Sequence, residues 1–157
     1  MRITNSFFNA ETPVHCVYIM PTRSALGVGY AFAEFESARQ AIRQAFADPN
    51  WDGYGALPIR DETKRNALTV LNQLEIVTCA PEITPNPNGT MSFEWETDQG
   101  FGQLEIGRTR YSFCVQLHNG SPTLDSGDSS EMDPSVGMLV DALLFPKQLP
   151  PVSAVSR

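Results

Sequence analysis

The chain has 157 residues, with 11 lysines and arginines against 18 aspartates and glutamates, a net charge of −7. A domain of this size buries roughly 70% of its unfolded surface, so one domain over 1–157 with a real core is expected. The negative field repels phosphate backbones, which excludes nonspecific nucleic-acid binding and leaves basic proteins as the natural partners. Charged residues make up 18% and hydrophobic residues 41%, a balance that argues against wholesale disorder.

The N-terminus, MRITNSFFNAETP, lacks the apolar core of a signal peptide. Cys16, Cys79 and Cys114 are odd in number and show no CxxC spacing, which fits reduced thiols in a cytoplasm. Val14 to Met20 is the longest apolar run and is too short for a bilayer, so no membrane association is expected. That run (VHCVYIM) is dense in β-formers and closed by Pro21, and it predicts an N-terminal strand over 14–20. A small-residue loop with Gly27 and Gly29 follows. It lacks the third glycine and the βαβ setting of a dinucleotide fingerprint, so no cofactor is assigned.

From residue 33 to 47 the period becomes helical, with Phe35, Ala38, Ile42, Ala45 and Phe46 on one side. Asp48-Pro49-Asn50 stops this helix, and Trp51-Asp52-Gly53-Tyr54-Gly55-Ala56 forms an aromatic loop between glycines. Asp61 is read as the N-cap of a second helix over 61–75, whose stripe is Ala67, Leu68, Leu71 and Leu74. Pro81 to Pro87 must be extended or turning. Three strands then follow at about 90–97, 102–107 and 110–117. Phe93, Trp95, Leu104, Ile106, Tyr111, Phe113 and Val115 point inward in alternation with polar residues. Residues 118–134 carry Asp125, Asp128, Glu131 and Asp133 and read as a flexible acidic loop. A short helix over 134–144 and a frayed tail over 146–157 complete an α+β domain, an antiparallel meander of at least three strands packed on the two helices over 33–47 and 61–75.

Chemistry-bearing residues are sparse. His15 and His118 lie on different elements without ligand spacing, so no metal site is assigned. Glu94 and Glu96 share the outer face of their strand, with Glu105 on the next. Paired carboxylates of this kind could do acid/base work, although solvation alone explains charge on an outer face. Trp51, Asp52 and Tyr54 are the binding candidates. Asp52 suits the turn, while the two aromatics suit either a contact surface or a plug between helices and sheet.

Asn50-Trp51-Asp52-Gly53-Tyr54-Gly55-Ala56, Pro58, a helix, Pro81-x-Ile83-x-Pro85, Asn88-Gly89 and Glu94-Trp95 stand in that order. The pattern resembles an uncharacterised family of small bacterial proteins, over residues 49 to 117. The resemblance implies a bacterial or phage origin and a helix-plus-meander core, and it brings no activity, cofactor or catalytic residue. Three functions compete. The favoured one is a non-enzymatic interaction module binding a basic protein partner, in an antitoxin-like, immunity-like or other accessory role. The others are a small hydrolase using the meander carboxylates, and a homo-oligomer built by edge pairing.

Overall fold

The computed structural model describes residues 25–146. Its elements are α1 (Ala25–Gln44), α2 (Asp61–Leu74), β1 (Glu82–Pro85), β2 (Met91–Thr97), β3 (Gly100–Ile106), β4 (Arg110–Leu117), β5 (Thr123–Asp128) and α3 (Ser135–Leu144). The strands form one antiparallel sheet in chain order, β1-β2-β3-β4-β5, so the fold is α+β with a meander. Among the described residues no helix is long and apolar enough to cross a membrane. The strand expected over 14–20 and most of the tail lie outside the described residues.

The register places one set of side chains under the helices. Phe93 faces Leu104, Leu104 faces Phe113, and Ile106 faces Tyr111. These residues are buried, as are Met91, Trp95 and Val115. Helix α1 contributes Phe35, Ala38, Ile42 and Ala45, and α2 contributes Ala67, Val70, Leu71 and Leu74. Helix α3 also covers the sheet, through Val136, Val140 and Leu144, so three helices share the role expected of two. Polar ties fix their positions. Arg39 on α1 donates to Asn72 Oδ1 at 3.2 Å and pairs with Glu75 beyond the end of α2. Asn66 on α2 donates to the carbonyls of Gly107 and Arg108 at 3.1 and 3.0 Å. Trp95 Nε1 donates to the Cys79 carbonyl at 3.0 Å, which satisfies the polar end of a buried indole.

Three boundaries differ from expectation, each for a physical reason, while the stretch over 81–87 is extended or turning as expected. Helix α1 begins at Ala25, so Gly27 and Gly29 lie within it and not in a loop. Glycine costs only about 1 kcal/mol in a helix interior, and extending an existing helix adds one hydrogen bond per residue. The cap of α2 is Arg60, extended at φ −71° and ψ 154°, and Asp61 is the first helical residue. No side chain caps this end, although Asp61 and Glu62 still complement the helix dipole. The proline-rich stretch yields β1, an edge strand, where a missing N–H is tolerated. The stretch 118–134 is not a loop throughout, since it contains β5. That strand has no hydrophobic alternation to announce it and rests on main-chain pairing with β4.

Candidate functional site

The best-built feature is the loop between α1 and α2. Asn50 adopts a left-handed conformation at φ 59°, and Gly53 and Gly55 follow at φ 78° and 94°. Glycine and asparagine reach that region at the lowest steric cost, which is why the aromatics stand between such residues. Side chains then take the place of a ladder. Asn50 Oδ1 accepts from the Gly55 amide at 2.7 Å. Asp52 Oδ1 accepts from the amides of Tyr54 and Ala56 at 2.8 and 3.0 Å. Asn50 N–H donates to the Ala56 carbonyl at 2.7 Å and closes the loop. The Tyr54 amide above all, with that of Ala56, holds the Asp52 carboxyl below the ordinary carboxylate range.

The two aromatics differ in their surroundings, and neither plugs a gap between helices and sheet. The Trp51 ring stacks on Phe46, with centroids 4.8 Å apart and planes within 8°. Its Nε1 donates to the Leu57 carbonyl at 3.0 Å. Trp51 is therefore half-buried and fastens the loop to the end of α1. Tyr54 is 95% exposed and touches little else. Leu57 and Phe46, at 57% and 50% exposed, flank it in the chain. The loop is tied to the sheet by the Leu57 amide, which donates to the Pro87 carbonyl at 2.8 Å. The result is a rigid platform with an exposed phenol at its tip.

If Asp52 fixes this platform, Asp52→Ala leaves the overall fold intact but frees the loop. Hydrogen exchange at the Tyr54 and Ala56 amides is expected to quicken selectively, while amides in β2 keep their protection. Equal protection of both loop amides in the variant would show that other contacts hold the loop.

The carboxylates lie on the opposite side of the molecule from the helices. Glu94 and Glu96 share the open face of β2, with Glu94 beside Glu82 of β1 and Gln103 of β3. Glu105 faces Ser92, and therefore stands diagonally to Glu94, with backbones roughly 7 Å apart. Each of these two carboxylates is engaged. Gln103 Nε2 donates to Glu94 Oε1 and to Ser92 Oγ, both at 3.2 Å. Asn88 Nδ2 and the Thr90 hydroxyl reach Glu105 Oε1 at 2.9 and 2.6 Å. Glu96 is exposed opposite Phe101. Two concavities among the described residues are found elsewhere. One, of about 190 Å³, is lined by Leu74, Ile76, Val77, Met132, Pro134 and Gly137, among others. The other, shallower and about 570 Å³, lies between Arg43, Lys64 and Arg65. No group of three or more His, Cys, Asp or Glu among the described residues could hold a metal ion.

Burial pushes the Glu94 carboxyl above its ordinary value, aided by the neighbouring Glu82 and opposed by the Gln103 hydrogen bond. A carboxyl raised in the folded state binds its proton more tightly there than when unfolded. Its contribution to stability is therefore present below the ordinary value of 4.5 and is lost as pH rises through the folded-state value. Glu94→Gln is expected to raise the melting temperature at neutral pH. The difference should shrink as the pH falls below 4.5 in a thermal-denaturation series. A variant less stable than the wild type at neutral pH would contradict this sign.

Compared with protein-family models, curated proteins and solved structures, the chain finds no match. Trp51, Asp52 and Tyr54 come together in one loop as the sequence placed them. Phe46, Asn50 and Leu57 complete it, beyond the three residues that the sequence marks as candidates. Asn50 carried a signal, since Asn and Asp tolerate left-handed backbone and cap it locally. Phe46, expected on the inner side of the first helix, lies beyond its end at Gln44 and is half-exposed, because its ring stacks on Trp51 instead of the core.

Proposed function

We propose that this chain is a non-enzymatic interaction module that presents Tyr54 and its apolar neighbours to a basic protein partner. The observation that carries the reading is a nearly fully exposed tyrosine on a loop held by its own side-chain hydrogen bonds. Tyrosine brings large area and a polar tip at low entropic cost, and a pre-ordered loop loses less freedom on binding. Asp48 and Asp52 lie on either side of Trp51 and the whole chain carries −7, which supports a cationic partner. An accessory role of antitoxin-like or immunity-like kind, in a bacterium or phage, fits such a surface.

The test is capture of partners by the wild-type chain and by Tyr54→Ala, followed by titration of the recovered partner. The wild type should retain a basic protein, with binding weakened at high salt. Tyr54→Ala should bind about 30-fold or more weakly, the loss typical of an interface hot spot, at an unchanged melting temperature. Equal affinity for both chains, or retention of acidic proteins only, would overturn the proposal.

A second reading, a hydrolase working through Glu94, Glu96 and Glu105, draws on the raised carboxyl of Glu94 beside Glu82. It requires Glu94→Gln to lose turnover of a glycan or nucleotide substrate while gaining stability. A chain that turns over neither substrate class would end that reading.

A further inference from the structure

The two edges of the sheet are built differently. The β1 edge lies between Pro81 and Pro85, with Pro87 just beyond. Each proline removes an N–H, so this edge offers a broken row of donors, a common way to block strand addition. The β5 edge, Thr123–Asp128, contains no proline and no lysine or arginine. No strand among the described residues pairs with its outer side.

The register shows which main-chain groups that edge offers. Ser129 N–H donates to the Thr109 carbonyl at 3.1 Å, and Arg110 faces Asp128. Antiparallel ladders alternate, so Gly127, Asp125 and Thr123 also turn their N–H and C=O toward β4. Leu124, Ser126 and Asp128 therefore turn theirs outward. The Asp128 carbonyl is taken by the Glu131 amide at 3.2 Å. Among the described residues this leaves a row of three donors and two acceptors along one extended strand. The strand is held firmly from behind. The Tyr111 hydroxyl donates to Asp125 Oδ2 at 2.9 Å, and the Tyr111 ring lies against Gly127, where a Cβ would come within 2.8 Å of Cε1.

Charge selects the occupant. Asp125, Asp128, Glu131 and Asp133 are all exposed along this edge and the turn that follows it. Arg110, opposite Asp128 in the ladder, offsets only part of that charge. A second copy of the chain would bring the same acidic strand against itself, and like charges facing across a ladder are destabilising. An extended segment rich in lysine or arginine would gain both the main-chain bonds and the charge pairing. We propose that the β5 edge is a strand-addition site for a basic, extended segment of a protein partner. The site is independent of the Tyr54 loop, which joins the β1 end of the sheet through Pro87.

The test uses nitrogen-15-labelled full-length protein and a short probe peptide of alternating lysine and valine. A glutamate–valine peptide serves as the control. The lysine peptide should shift the Leu124, Ser126 and Asp128 amides and slow their hydrogen exchange, more at low salt than at high salt. Ser126→Pro removes an outward donor that takes no part in the β4 ladder, and should weaken binding about tenfold, the effect of one lost hydrogen bond at a desolvated edge. Unchanged amide positions in α2 and β2 will show that this variant is folded. If it is not, a double variant, Asp125→Asn with Asp128→Asn, should weaken binding of the lysine peptide selectively. Tyr54→Ala should leave this binding unchanged, so the edge and the loop can fail separately. Three results would overturn the proposal: no response in the β5 amides, equal binding of both peptides, or protection that grows with protein concentration alone. The last would assign the edge to self-pairing.

Discussion

Phe93→Ala is expected to lower the free energy of unfolding by about 4 kcal/mol, the usual cost of emptying a buried phenylalanine site. Against a typical total of roughly 5–15 kcal/mol, that loss brings the chain near the limit of folding at physiological temperature. Phe93 is 0% exposed and lies mid-sheet between Ile83 and Leu104, under the helices. The informative comparison is Phe101→Ala. Phe101 sits on the open face between Glu96 and Gln116 and is part-exposed. Its truncation leaves no closed cavity and should cost about 1 kcal/mol or less. Urea titrations of both variants measure the contrast directly. A cost of several kcal/mol at Phe101 would mean that the open face is covered in solution.

The second large effect is expected at Gly100, the first residue of β3. It faces Leu117 in the ladder, and a Cβ added there would run into the Gln116 carbonyl oxygen, with Leu117 Cα 2.8 Å away. These are backbone atoms of a paired strand, so no rotamer change relieves the collision. Gly100→Ala should cost about 3 kcal/mol, at the upper end for overpacking, and displace the β3–β4 pairing. Gly120→Ala is the control, because the nearest atom to its added Cβ would be Leu117 Cβ at 3.5 Å, an ordinary contact. Thermal melts showing equal stability of the two variants would contradict the packing of β3 against β4.

Both predictions concern residues whose surroundings the sequence described unequally. The inward direction of Phe93 follows from strict alternation with Ser92 and Glu94, a period-two pattern that survives folding unchanged. The same alternation places Leu104, Ile106, Tyr111, Phe113 and Val115, and all are buried. Gly100 falls between the strands expected over 90–97 and 102–107, and nothing in Asp98-Gln99-Gly100 announces the neighbouring carbonyl of Gln116. For Trp51 and Tyr54 the residue types leave both burial and exposure open, and neither ring fills a gap between helices and sheet. Trp51 is fastened by Phe46 and the Leu57 carbonyl, while Tyr54 stands in solvent.

The amino-acid sequence by itself determined the parts of this protein that depend on local periodicity. Those are the stripes of α1 and α2, the alternating faces of β2, β3 and β4, and the glycine-set loop carrying Asp52. Their cause lies within a few residues along the chain, in backbone geometry and capping chemistry. Tertiary structure alone decided where β5 lies, since TLDSGD has no apolar alternation and only Thr123 as a strand former, and is extended because β4 offers it a ladder. It also decided that α3 completes the cover of the sheet, and that Glu94 sits beside Glu82. These features arise from contacts between residues far apart in sequence or from pairing partners, and no local pattern encodes them.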